Sequence, residues 1–302
     1  MLLRLTAAGF GLALCAAASS AGAASLTLKD VAVRVIVVTE ARADVKIEVL
    51  RTDSRLPLTI TADGDDIRVE GVRRGDDWWA KLFPHNIASC HGWADGQRVL
   101  VPGVGDFRPD DLPTLFVHMP LDAHIHAGGA IIGSLPSAQS LELHAAGCGT
   151  WTVGKVAGRF QLDEAGDDQI RLGRAGSLDA HLAGAGGVQA RGVSDGVALH
   201  LSGASDLKID QVSGPIELHI AGHGDVNLGP GHSPQMKVEI AGQADVRYAG
   251  TADRLDVAIA GQGDVDVARV DGPVNKSIAG QGSVTIGGDR QSTSGLGIGH
   301  GG

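Results

Sequence analysis

The sequence predicts an all-β chain wound into a right-handed parallel β-helix, a β-solenoid of about nine coils preceded by strands that start or cap it. Three observations predict it. A small-Gly pair recurs with its glycine at Gly147, Gly166, Gly184, Gly203, Gly222, Gly242, Gly261 and Gly280, in steps of 18 to 20 residues. On either side of each glycine, apolar and polar residues alternate with period two, the pattern of a half-buried strand, and helical spacing is absent. Composition agrees: 45 glycines in 302 residues, 3% aromatics and abundant Val, Ile and Leu suit short strands joined by tight corners.

Residues 1–23 read as an export leader. Arg4 precedes the apolar run LTAAGFGLAL, and Ala21-Gly22-Ala23 supplies a small-residue cleavage signature. A lipid anchor on Cys15 is the weaker reading, because Leu14 stands where a small residue is needed. No later apolar run approaches the ~18 residues of a membrane helix, so the chain is not expected to span a bilayer. Without the leader, 24 Lys and Arg face 35 Asp and Glu. An acidic chain with no basic cluster is a poor partner for nucleic acid, whose binding rests on phosphate neutralisation.

Residues 24–120 alternate in VAVRVIVV, VKIEVL and LTITADGDDIRVEG, as strands that begin or cap the solenoid. Residues 72–98 (VRRGDDWWAKLFPHNIASCHGWADGQR) look like an insertion. Residues 121–287 hold the repeats, opening with an irregular copy, LDAHIHAGGAIIG. Six and four residues before each glycine stand apolar pairs such as Ile216/Leu218, and four and six after it pairs such as Val226/Leu228. Val156, Val193, Val212 and Val270 recur nine residues after the glycine and imply a third, shorter side. One such unit cannot bury its own apolar side, so it must lie on the next. Nine coils at ~4.8 Å give a rod of about 43 Å. Lys276 replaces an apolar residue in the last coil, a device against end-to-end pairing. The Gly-rich tail, 288–302, is expected to be disordered.

The ordered combination DVAVRVIVV, VKIEVL, LPLTITADGDDIRVEG, LPTLFVHMPLDAHIHAGGA, AGCGTW and serial AGxGDV repeats resembles the putative auto-transporter adhesin head GIN domain family of bacterial cell-envelope proteins. The likeness covers nearly all of the chain after the leader. It implies a right-handed β-helix, a periplasmic or surface location and no established enzymatic activity. The expected role is therefore a non-enzymatic, adhesin-like surface whose partner is an unidentified envelope protein or glycan. Residues 72–98 interrupt the family pattern, and no family ligand carries over to them.

Four features are candidates for chemistry. Asp206, Asp225, Asp245 and Asp264 stand three residues after Gly203, Gly222, Gly242 and Gly261. They either stack to hold calcium or accept backbone N–H bonds where the chain leaves each corner. His181, His200 and His219, continued by Glu239, stand three residues before the glycines on the outward side, at spacing that suits weak zinc or copper binding or a solvated stack without ligand. Trp78, Trp79 and Trp93 in the insertion either meet a partner or cap the rod. Cys90 and Cys148 read as a disulfide closing a long loop, worth about 4 kcal/mol, or as two buried thiols. A glycan-active β-helix enzyme is the remaining alternative. It needs carboxylates converging with a basic residue, and the coils show rows instead. No catalytic residue and no obligatory cofactor is assigned.

Overall fold

The computed structural model describes residues 24–71, 89–91, 98–287 and 289–291. The leader segment, Trp78, Trp79 and Trp93, and most of the Gly-rich tail lie outside the described residues. The described chain is strands and turns with one 3-10 turn at Pro109–Asp111. Its first strands are β1 (Ser25–Glu40), β2 (Lys46–Arg51), β3 (Leu58–Asp63), β4 (Asp66–Gly71), β5 (Ser89–His91), β6 (Arg98–Val101), β7 (Gly105–Phe107), β8 (Thr114–Pro120), β9 (Asp122–Ala138), β10 (Ser140–Ala145), β11 (Cys148–Glu164) and β12 (Asp167–Leu182). After β12, short strands alternate between the two main faces of the rod out to Gln281–Ile286.

The architecture is the parallel β-solenoid that the repeat predicts. Each strand pairs in parallel with its equivalent one coil later: Leu143 opposite Leu162, Ala180 opposite Leu199, Leu218 opposite Val238 and Val265 opposite Val284. The two apolar pairs flanking each glycine are buried almost throughout, as are Val156, Val193 and Val212 on the third side. Together they form one core running from Ala24 to Val284. A fully buried Val, Leu or Ile is worth about 1.5–3 kcal/mol, so the repeated rows supply most of the cohesion. In the last coil Lys276 takes the register of Val257 and is only part-buried, and Val274 beside it is 38% exposed.

The N-terminal strands both start and cap the rod. β1 is an inner rung, pairing in parallel with β9 on one side and with β4 and β8 on the other. β4 and β8 make up one coil interrupted by the insertion. β2 and β3 then pair antiparallel with β8 and β4 and cover that end. The insertion and the segment that follows it, to Phe107, contribute a three-stranded antiparallel sheet, β5–β6–β7. A second apolar cluster of Val99, Phe107, Leu112, Ala32, Ala130 and Cys148 seats it against the rod. Cys90 and Cys148 are bonded, with Cα atoms 5.7 Å apart, so the insertion is tied to β11. At the other end, Asp289–Gln291 turns back antiparallel on the last strand.

The corner glycines have a steric purpose. A Cβ built on Gly166, Gly184, Gly203, Gly222, Gly242, Gly261 or Gly280 would fall 2.0 Å from the carbonyl oxygen of the equivalent glycine one coil earlier. That oxygen is already occupied: Gly203 O accepts the N–H of His223 at 2.9 Å, and Gly222 O accepts that of Gln243 at 3.0 Å. A side chain here would push the coils apart and break the bond that joins them.

Two acidic residues depart from the pattern. Glu164 and Asp168 occupy inward positions that hold apolar or small residues in neighbouring coils, and each is 2% exposed. Glu164 accepts the N–H groups of Gly166 at 2.8 Å and Gly184 at 3.3 Å, while Oδ2 of Asp168 has no hydrogen-bond partner among the described residues. Burial, and then the neighbouring charge of Glu164, push Asp168 up to about 7; burial also raises Glu164. Trp151, fully buried as an inward position requires, lies against Gly133.

Two outcomes follow from these contacts. Gly222→Ala should lower stability in urea by about 3 kcal/mol, the scale of an overpacked core. Gly192→Ala, whose Cβ meets nothing closer than 3.6 Å, should stay within about 0.5 kcal/mol of wild type. The second outcome is a pH dependence. A folded value for Asp168 above its unfolded one means the folded state keeps a proton that the unfolded state releases. Its contribution is full below about pH 4 and is lost by about pH 7, a change on the order of 4 kcal/mol. The urea midpoint of wild type should therefore fall across that range, and Asp168→Asn should flatten the slope.

Candidate functional site

The strand before each glycine alternates inward and outward, which lines up its outward residues from coil to coil. His181, His200, His219, Glu239, Ala258 and Ser277 form one continuous row in register. Parallel strands lie ~4.8 Å apart, close to the spacing of stacked rings. The rings of His181 and His200 stack with centroids 4.6 Å apart and planes 13° from parallel; those of His200 and His219 are 4.9 Å and 9° apart. A second stack, His126 on His144, lies in the same row at 4.6 Å, and Asp163 separates the two.

Carboxylates bracket the longer stack. Nδ1 of His219 lies 2.8 Å from Glu239 and Nε2 lies 2.9 Å from Glu217; Nζ of Lys237 reaches both carboxylates, at 2.9 Å and 3.2 Å. Hydrogen bonds from His219 and Lys237 hold Glu217 below the usual carboxylate range; those from Lys237 and His219 do the same for Glu239. Burial, then the neighbouring His181 and His219, lower His200. In the shorter stack burial, then His144, lower His126.

The histidine row is one wall of a groove of about 630 Å³ that runs along the corner. The opposite wall is the small residue before each glycine: Ala183, Ser202, Ala221, Ala241, Ala260 and Ala279, all exposed. Between the walls lie the buried Leu182, Leu201, Ile220, Ile240 and Ile259. The groove escapes a reading of the sequence because small residues define it. Its signal is the invariably small partner of each corner glycine.

The aspartate row lies on the other side of the same corner. Asp206, Asp225, Asp245 and Asp264, with Gln243, Gln262 and Gln281, line a second groove of about 550 Å³. The expected backbone bond is present, but its donor lies one coil away. Asp206 Oδ1 accepts the N–H of Asp225 at 2.9 Å, Asp245 that of Asp264 at 3.2 Å and Asp264 that of Ser283 at 2.9 Å. These aspartates tie coil to coil. Gln243 also donates to Gln262 at 3.0 Å.

The proposed metal ligands are adjacent, but the geometry stacks their rings instead of converging their nitrogens. Among the described residues no three His, Cys, Asp or Glu side chains converge to hold an ion. No helix among the described residues is long and apolar enough to cross a membrane.

Residues 193–293 match the family model described as putative auto-transporter adhesin, head GIN domain, which bears out the resemblance over that part of the chain. The matched span contains most of both grooves. Among solved structures, a putative adhesin from Parabacteroides distasonis is similar at 12% identity, covering 87% of this chain and 92% of that one with a TM-score of 0.43. A putative cell adhesion protein from Clostridium sporogenes has the same coverages at 7% identity and a TM-score of 0.15. At those scores neither adds to the fold described above. No curated protein matches the chain by sequence.

The stacked geometry predicts how the row responds to metal. Both nitrogens of His219 lie against carboxylates, and near-parallel rings aim their lone pairs side by side. Zinc titrated calorimetrically at neutral pH should give the same heat with wild type as with the His181→Ala/His200→Ala/His219→Ala variant. Heat that only the wild type shows would support metal binding by the row.

Proposed function

We propose that the chain is a non-enzymatic, adhesin-like module of the bacterial cell envelope, exported by its leader and displayed in the periplasm or at the cell surface. The groove beside the histidine row is its contact surface. One observation carries the reading: the groove keeps its small-residue wall through successive coils, most of them within a span that matches an adhesin head family. A β-solenoid suits such a task, because every rung is locked to two others and the surface is rigid before it meets a partner. Preorganisation of that kind removes ordering cost from binding. The polar groups repeat in rows, an arrangement suited to an extended partner and unlike the converging acid, base and nucleophile of a hydrolytic site.

The purified chain without its leader, immobilised and exposed to bacterial envelope fractions, tests this. Ala221→Phe/Ala241→Phe fills the groove at two exposed positions and should reduce retained material about tenfold, the scale of losing a central contact. Asp225→Asn on the other groove should leave retention unchanged. Equal retention by the filled variant would place the contact surface elsewhere on the rod.

A further inference from the structure

We propose that the histidine-side groove binds a single chain of a neutral, β-linked glycan, extended parallel to the solenoid axis with one sugar residue per coil. This rests on the binding reading above and adds the chemistry of the partner. Three features of the groove support it.

The first is charge. In a chain of net charge −10, Glu239 is the one acidic residue lining this groove, and His219 and Lys237 hold its carboxylate. Burial and the neighbouring His181 and His219 disfavour the charged form of His200. The groove is thus a nearly uncharged strip on an acidic rod, complementary to an uncharged occupant. A polycation has a better match on the aspartate side of the corner, and a polyanion is repelled by the rod as a whole.

The second is the chemistry of the two walls. Stacked imidazoles spend their faces on each other and present their edges. His200 makes no side-chain hydrogen bond among the described residues, so its nitrogens are available. Ser277 adds a hydroxyl to this wall, and Ser202 adds one to the wall opposite. Apart from Ser202, the opposite wall is methyl groups, from Ala183 to Ala279. A pyranose ring has the same division, apolar C–H faces and a rim of hydroxyls, and fits between a methyl wall and a hydrogen-bonding wall.

The third is the repeat. The outward positions of the row recur from coil to coil, 4.6 to 4.9 Å apart between the histidine rings, close to the advance of one pyranose in an extended β-linked chain. An extended peptide advances about 3.3 Å per residue and returns to the same face after about 6.6 Å, out of step with the coils. It also finds no backbone to pair with. The N–H groups along the methyl wall are spent between coils: Ala221 on Leu201 O at 2.8 Å, and Ala241 on Ile220 O, Ala260 on Ile240 O and Ala279 on Ile259 O, each at 2.7 Å. Strand addition, the usual route for a peptide onto a sheet, is closed here.

The test titrates the leader-free chain with cello- and chito-oligosaccharides of two to six residues, with malto-oligosaccharides as the α-linked control. Affinity should climb with chain length and level off near six residues, since the groove runs from the coil of His181 to that of Ser277. Ala241→Phe should weaken binding of the hexasaccharide about tenfold or more, and His200→Ala by a few-fold. Asp225→Asn should leave it unchanged. In methyl-labelled wild type, the Ala221, Ala241 and Ala260 signals should shift on titration, a readout that needs no variant. Binding without length dependence, equal binding of α-linked chains, or shifts confined to other residues overturns the proposal. Loss of envelope capture in the filled variant with no response to any β-linked probe overturns the glycan but leaves the contact surface standing. Displacement of captured material by a peptide does the same.

Discussion

The solenoid depends on a backbone contact that tolerates no side chain. At each corner the carbonyl of one glycine points along the rod axis, accepts an N–H from the next coil and touches the Cα of the next glycine. This contact sets both the distance between coils and their register. Everything that repeats along the rod inherits that precision. The apolar rows meet because their corners do, and the outward rows line up for the same reason. The stacking of His181, His200 and His219 thus has its origin in a glycine ladder on the neighbouring corner, with ring separation dictated by strand separation.

The same corner separates two chemically different surfaces. On one side the aspartates accept backbone N–H bonds from the following coil and serve as struts. On the other side the small residues leave a groove, and the histidines with their carboxylates stiffen its wall. Glu164 and Asp168 show what happens when polar groups occupy the inner side of the corner. One is satisfied by glycine N–H groups and the other keeps an oxygen without a partner among the described residues, in a position where neighbouring coils place apolar or small residues.

Much of this was legible from the residues. The alternation about each glycine marked Ile216, Leu218, Val226 and Leu228 as inward and the histidines as outward, because a strand's period of two leaves no third choice. Trp151, four residues after Gly147, is inward by the same alternation, and the export context favoured pairing of the two cysteines. Three things were not legible. The place of β1 between β9 and the β4/β8 coil depends on which strands pair, which periodicity does not encode. The aspartates looked like local turn formers, since a carboxylate beside a corner has the same sequence signature whether its donor is local or one coil away. The groove was hidden because Ala221, Ala241 and Ala260 carry no chemistry of their own in the sequence. Their significance lies in the volume they leave unfilled.

The position of β1 has a consequence for how the molecule comes into being. Leu26 pairs with Ile67 on one side and Ile125 on the other, so the first strand of the rod waits for partners made about 40 and 100 residues later. Closing such loops is costly in entropy, and contacts of this span slow folding. The later repeats face no such delay, since each coil's neighbour is made at once and the ladder can grow by addition. The first strand made is therefore not the first completed: the rod grows at its far end, while an apolar first strand must be kept from other partners until the coil on either side of it exists.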